Sequence, residues 1–274
     1  METTEQGILT VKWLGLSGVE LRAGGCSLLV DPVYTRLRPA KTALTGVKTD
    51  EQAVRERMPA NCHILISHAH HDHLMDTPCL AKLTGAPVYC SPNSCTIASA
   101  CGAPKDCLHV IGPGSRIKAG PFTVTALPAT HIRLPGYGDG KLPGRLRPPL
   151  RMFQYRMDGS MVFLVEVRSL RLLVGPGLCL AETGPVDGLA FSPVYCGPAR
   201  AREYVGKLKP RFLLPIHWEQ LFAREGRPLR GSLAPGFPPR RYKLNQAEAL
   251  AKEAGASYLE PVVDREYDLT KWMG

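Results

Sequence analysis

No run of apolar residues in this 274-residue chain approaches the ~20 consecutive positions a membrane-spanning helix needs. An integral membrane protein built on helices is therefore excluded. The start, Met1-Glu2-Thr3-Thr4-Glu5-Gln6, is polar and acidic and lacks the basic residues and apolar stretch of a secretory leader. A cytoplasmic location is expected. Low-complexity tracts and dividing linkers are also missing, so a single domain over residues 1–274 is expected. There is no Cys-x-x-Cys pair among the nine cysteines, an odd number that suits reduced thiols. Cys90, Cys95, Cys101 and Cys107 fall close together, but without that pair they read as small buried hydrophobes rather than a metal cluster. Acid is scarce: 24 Asp and Glu against 34 Lys and Arg, a formal net charge of +10. Such an excess favours an anionic partner, whether a small anionic substrate, lipid headgroups or nucleic acid, or else serves solubility and a homo-oligomer surface.

What the chain does have is histidine in one place. Ile64-Leu65-Ile66-Ser67 runs straight into His68-Ala69-His70-His71-Asp72-His73. Neutral imidazoles gathered in a cleft want a Lewis acid or a proton donor, and imidazolium groups would repel one another. A divalent metal answers that demand. His68 and His70, two apart, share a face on extended backbone. Asp72 and His73 lie where the chain turns towards a helix and can face a second ion. The competing view is a solvated loop that happens to be rich in histidine. A strand feeding directly into the ligands argues against it.

The rest of the chain supplies further strand-end residues. Gly7–Gly15, Gly18–Ala23 and Cys26–Val30 read as an antiparallel start with glycine turns, ending at Asp31-Pro32. Asp31 is either a surface turn or a carboxylate orienting a metal-bound histidine from behind. Residues 33–48 read as irregular. Helices are expected over 51–58 (capped by Thr49 or Asp50), through Leu83 to a stop at Gly85, over 94–100, 199–208 and 246–254. Strands are expected at 63–67, 87–90, 108–111, 116–119, 122–127, 152–157, 161–167, 170–174, 189–194, 211–216 and 258–262. His131 and His217 stand at the ends of two of these. Twice the chain runs through a meander and then through strands alternating with helices. That scheme fits an α/β fold of two face-to-face sheets with helices outside, a four-layer αββα sandwich. Basic residues crowd two Pro/Gly-rich stretches, 133–156 and 224–241. The loop 133–149 is long enough to be a lid or substrate loop.

These residues resemble the metallo-β-lactamase-fold hydrolase superfamily, from Gly7 to about Val263. The most specific part is Ser67-His68-Ala69-His70-His71-Asp72-His73, supported by Thr130-His131 and Leu214-Pro215-Ile216-His217. Val30-Asp31-Pro32 and the ending Leu214–Trp218 look most like the branch of L-ascorbate-6-phosphate lactonases and N-acyl-phosphatidylethanolamine phospholipases D. The resemblance implies that His68, His70 and His131 hold one metal, and that Asp72, His73 and His217 hold another. Zinc is the first expectation, with manganese or iron as alternatives. It also implies a metal-activated water attacking an ester-type bond, a phosphodiester or lactone, with Asp72 available for proton transfer. A nuclease of this fold carries an inserted domain for which 274 residues leave no room, so nucleic acid is the least expected partner.

One departure stands out. The family places an aspartate that bridges both metals after the strand that here is Leu170–Val174, where this chain reads Gly175-Pro176. Glu182 and Asp187 are the nearest carboxylates and look displaced. An anionic bridge offsets repulsion between two dications, so one firm metal and a second weak or absent one are expected. A catalytically degenerate metal- or ligand-binding protein of the same fold is the alternative.

Overall fold

Alternation builds the first sheet. In β1 (Leu9–Gly15), Leu9, Val11 and Trp13 are buried to one side, while Lys12 on the other reaches Glu20 at 2.8 Å. Strand β2 (Gly18–Ala23) returns antiparallel and turns through Gly24-Gly25, both at positive φ, into β3 (Cys26–Val30). Two such residues are what a tight hairpin turn of the strands' own twist requires. The computed structural model describes residues 8–131, 138–193, 196–218 and 244–273.

From β3 onward the sheet turns parallel, through β4 (Cys62–Leu65), β5 (Val88–Cys90) and β6 (Leu108–Val110). Parallel neighbours need crossovers. These carry α1 (Pro39–Thr45) and α2 (Glu51–Arg57), then α3 (His71–Leu74) and α4 (Thr77–Thr84), then α5 (Pro92–Ala100). The Asp50 side chain caps α2, as expected, by accepting from Ala53 N.

The second half repeats the plan. β7 (Arg116–Ala119), β8 (Phe122–Pro128), β9 (Met161–Val167) and β10 (Leu170–Val174) form an antiparallel meander. β11 (Gly188–Phe191), β12 (Phe212–Pro215) and β13 (Ser257–Tyr258) continue it in parallel, with α6 (Pro198–Leu208) and α7 (Leu244–Glu253) between them. Among the described residues each sheet has seven strands, the first bordered by β14 (Glu266–Asp268) against β1.

Three apolar clusters separate four layers. One lies between the sheets, around Trp13, Leu28, Phe122, Phe163, Leu214 and Trp218. A second joins the outer face of the first sheet (Leu29, Ile64, Val88) to Val54, Leu80 and Ile97 of its helices. The third joins Leu173, Leu189 and Leu213 to Val205 and Leu250. These layers form the four-layer αββα sandwich expected from the sequence pattern, the architecture that the resemblance to metallo-β-lactamase-fold hydrolases implied. Among the described residues no helix is long and apolar enough to cross a membrane.

Three elements differ from expectation. Residues 152–157 are not a strand: Met152–Gln154 form a 3₁₀ turn and Met157 makes only a lone bridge to Asp139. Their apolar side chains are drawn onto the outer face of the first sheet, where Met152, Tyr155 and Met157 pack. The stretch read as irregular contains α1, started by a proline at its first turn. The final strand is cut to Ser257–Tyr258; Pro261, without an N–H, cannot extend a ladder. The basic stretch 224–241 lies outside the described residues, as do 132–137 of the other long loop.

Candidate metal centre

Strand direction gathers the site. β3, β4, β8 and β12 all end at one edge of the sandwich, and just past those ends come Asp31, His68, His131 and His217. Two backbone bonds stitch the sheets together there. Met161 N donates to Ser67 O at 2.9 Å, and His217 N donates to Leu16 O at 2.6 Å. Asp31 and His217 both hold left-handed backbone, at φ 47° and 55°. For residues other than glycine that conformation costs energy and clusters at functional sites.

The donors form two sets. His68, His70 and His131 offer ring nitrogens within 4.8 Å of one another, with ring centroids 4.5–4.8 Å apart. Asp72, His73 and His217 form the other: His217 Nε2 lies 3.2 Å from His73 Nε2 and 3.3 Å from Asp72 Oδ2, and His73 Nε2 lies 3.7 Å from the same oxygen. The sets adjoin, since the rings of His68 and His73 are 3.9 Å apart. α3 is what divides them: His70 caps its start from extended backbone, while Asp72 and His73 ride inside it.

Behind the donors sits a network centred on Asp31, which is fully buried. Its Oδ1 accepts from Ser67 N at 2.7 Å, and its Oδ2 accepts from Ser67 Oγ at 2.5 Å and from His73 Nδ1 at 2.7 Å. Because the Ser67 hydroxyl gives its proton to Asp31, its oxygen accepts from His68 Nδ1 at 3.0 Å. Both imidazoles are thereby fixed with Nδ1 protonated and Nε2 carrying the lone pair. Ser17 Oγ adds a contact of 2.9 Å to His73 Nδ1. The sequence singled out Asp31 for this role. It gave no notice of Ser67 or Ser17, although a serine immediately before the first ligand was in plain view.

The electrostatics suit cation binding. Burial, reinforced by His73, His70 and His131, pushes His68 well below its ordinary pKa. Burial likewise lowers His70, to about 3 despite the nearby Asp72. These imidazoles are therefore neutral and able to donate a lone pair at physiological pH. Burial would raise the Asp72 carboxyl, but His73 and His217 outweigh it and hold the group well below the carboxylate range. Burial alone would lower His73, yet Asp72 and Asp31 raise it.

A metal fits this donor set. His68 Nε2 is buried with no hydrogen-bond partner, a costly state for a polar atom that nothing coordinates. Ligands at about 2.0–2.1 Å from a tetrahedral zinc lie about 3.3 Å from one another. The 3.2 and 3.3 Å separations in the second set match that edge.

Among the described residues no further carboxylate joins the two sets. Pro176 is buried just past β10, and the loop beyond it runs beside Ala129 and Thr130. Asp187 is at the other end of the sheet, before β11, where it accepts from Arg171 N at 2.9 Å and faces Arg211 at 3.4 Å. Glu182 is exposed, and neither residue belongs to a donor set. Among the described residues no group of cysteines forms a metal site. His71 is buried beside the Tyr155 ring, at 6.0 Å, and His63 and His109 stack on either side of Tyr89.

The sequence model of the Beta-lactamase superfamily domain matches residues 27–218, a span that holds both donor sets and Asp31. The chain belongs to the β-lactamase superfamily. Within this superfamily it is similar to a UPF0173 metal-dependent hydrolase of Anaeromyxobacter sp. (strain K), 28% identical over 253 residues, covering 83% of this chain and 82% of that one. Among solved structures it resembles Igni18, a metallo hydrolase of Ignicoccus hospitalis, with TM-score 0.62, 15% identity and coverage of 94% and 98%. It also resembles CmlA, a diiron beta-hydroxylase of Streptomyces venezuelae, with TM-score 0.60 and 16% identity over 96% of this chain and 54% of that one. A hydrolase and a hydroxylase thus share this fold, and the fold does not choose between their reactions.

Proposed function

We propose that the chain is a metal-dependent hydrolase that cleaves an ester-type bond, a phosphodiester or lactone, in a small anionic substrate. The observation that carries this reading is the buried, partnerless His68 Nε2 at the meeting point of three strand-end histidines. The hydrolase names of the Anaeromyxobacter and Ignicoccus proteins support it. In this proposal His68, His70 and His131 hold one ion firmly, while Asp72, His73 and His217 hold a second weakly. Zinc is the proposed ion, with manganese or iron accepted by the same donors.

A divalent ion there supplies a Lewis acid and lowers the pKa of the water it binds towards ~7. The chain's own residues do the rest. Ser67 and Asp31 keep His68 and His73 turned with Nε2 towards the centre. Where the second ion does not saturate it, Asp72, whose side chain is 18% exposed, can take a proton from the attacking water and return it to the leaving oxygen. Arginines within 133–151 or 227–241 would hold the anionic group, bidentately where it is phosphate or carboxylate. The branch of lactonases and phospholipases D suggested by Val30-Asp31-Pro32 belongs to this proposal.

Pro176 favours a second reading, a metal- or ligand-binding protein that has lost turnover. Elemental analysis of protein purified without chelators, paired with a screen of phosphodiesters, lactones and thioesters, separates the two. At least one equivalent of metal with turnover, both lost in His68→Ala, is the expected result. Metal without turnover on any substrate class favours the binding protein. Turnover retained in His68→Ala ends the hydrolase proposal.

A further inference from the structure

Much of the positive charge of this chain outside residues 224–241 falls in two segments. Residues 32–49 hold four basic side chains and residues 140–157 hold five, with no Asp or Glu in either segment. Removing these nine from the 34 basic residues leaves 25 against 24 acidic ones, so the two segments carry nine of the ten net positive charges.

The fold brings the segments together. Val47 N donates to Leu150 O at 2.7 Å, and the Arg151 guanidinium donates to Ala43 O. At Gly46 the backbones press so closely that a Cβ would lie 2.8 Å from Pro149 O. On the two sides of this seam stand Leu44, 79% exposed on α1, and Phe153, 62% exposed. In the same two segments Arg38, Lys41, Lys141, Arg145, Arg147 and Arg151 are all exposed. The seam is on the metal-centre edge: α1 follows β3 beyond Asp31, the other segment follows β8 beyond His131, and the Tyr155 ring is 6.0 Å from His71.

Charge and apolarity together select the partner. Cations alone would suit any polyanion, and a nucleic acid admits an apolar side chain only at the cost of unstacking its bases. A bilayer with anionic headgroups offers charge at its surface and hydrocarbon just below, which is what exposed Leu and Phe ringed by Lys and Arg can use. We propose that this seam docks the protein peripherally on an anionic lipid surface, with the metal-centre edge turned towards the headgroups. The proposal concerns docking alone and stands whether or not the centre turns over substrate.

The test is co-sedimentation of the intact protein with phosphatidylcholine vesicles, with and without phosphatidylglycerol, at low and high salt. Binding to the phosphatidylglycerol vesicles alone, falling as salt rises, is expected. The double variant Leu44→Ser/Phe153→Ser should lose most of it. Arg145→Gln with Arg147→Gln should weaken it about fivefold for each charge removed. Val110→Ser serves as the control: Val110 is 64% exposed on β6, outside the seam, and its variant should bind like the parent. All these side chains are exposed, so the variants should melt like the parent. No binding of the parent to phosphatidylglycerol vesicles overturns the proposal. So does binding that survives Leu44→Ser/Phe153→Ser, which would reduce the seam to a general polyanion patch; heparin would then bind parent and double variant alike.

Discussion

The two donor sets are neighbours at one edge of the sandwich, yet they are made of different chemistry. The first is three imidazoles, of which burial holds His68 and His70 far down and so neutral. The second pairs two imidazoles with the Asp72 carboxylate, and Asp31 stands directly behind His73. A neutral set binds a dication through preorganised lone pairs and asks for no counter-charge of its own. A second dication beside the first must also overcome repulsion, and one carboxylate offsets only part of it. Where the family resemblance implies a bridging aspartate, the chain has Pro176. The sets therefore need not fill together, and the strongest perturbations act on what they share.

The largest effect is expected from metal removal, because it empties both sets. Protein purified with metal and then treated with chelator should lose about 4 kcal/mol of stability if the ion had been present at 1,000 times its Kd. Thermal melting before and after chelation reads this directly, and restoring zinc should restore the melt. An unchanged melting temperature would mean that neither set contributes to the folded state. Next comes Asp31→Asn. Asparagine tolerates left-handed backbone, but its amide cannot accept from Ser67 N, Ser67 Oγ and His73 Nδ1 at once. About 3 kcal/mol of stability should be lost, with metal affinity lower at both sets, since one carboxylate orients a histidine in each. Chemical denaturation and metal titration check the two effects separately.

How much of this was legible beforehand depends on what each residue had to signal. The strand running into His68 was plain, because β-favouring residues followed by ligands form a local pattern. His131 and His217 were visible as histidines at strand ends, but their partition into sets came only from family resemblance. Asp31 could be placed but not weighed: its reach to His68 passes through Ser67, and a lone serine carries no pattern. Met152–Met157 misled because alternation shows that two faces differ without showing which surface claims them. β14 went unseen because Glu266-Tyr267-Asp268 is short and polar, and it pairs only because β1 leaves an edge open. The repeated meander-then-crossover scheme was readable because every parallel connection but the one between β10 and β11 carries a helix.

A sharper probe of the second set is Pro176→Asp, with Pro176→Asn to control for loss of proline. If the missing bridge is what weakens that set, the aspartate should raise affinity for the second ion about 10–100-fold, the range over which neighbouring ligand changes act. Equivalents bound at limiting metal should rise from one towards two, while the asparagine variant stays near the parent. A parent that already binds two equivalents tightly would show that Asp72 suffices and that the two sets differ less than their chemistry suggests.

The smallest expected effect is the most selective. Ser67 Oγ touches His68 Nδ1 at 3.0 Å but lies 3.5 Å from His73 Nδ1, which has Asp31 at 2.7 Å and Ser17 at 2.9 Å instead. Ser67→Ala should therefore free the His68 ring while leaving His73 held. Affinity at the first set should fall about tenfold, roughly 1.4 kcal/mol, with the second set unmoved. Metal titration in a Pro176→Asp background, where both ions can be counted, resolves the two losses. Equal weakening at both sets would mean that Ser67 acts by positioning Asp31 rather than His68, and the two sets would then share one support instead of having one each.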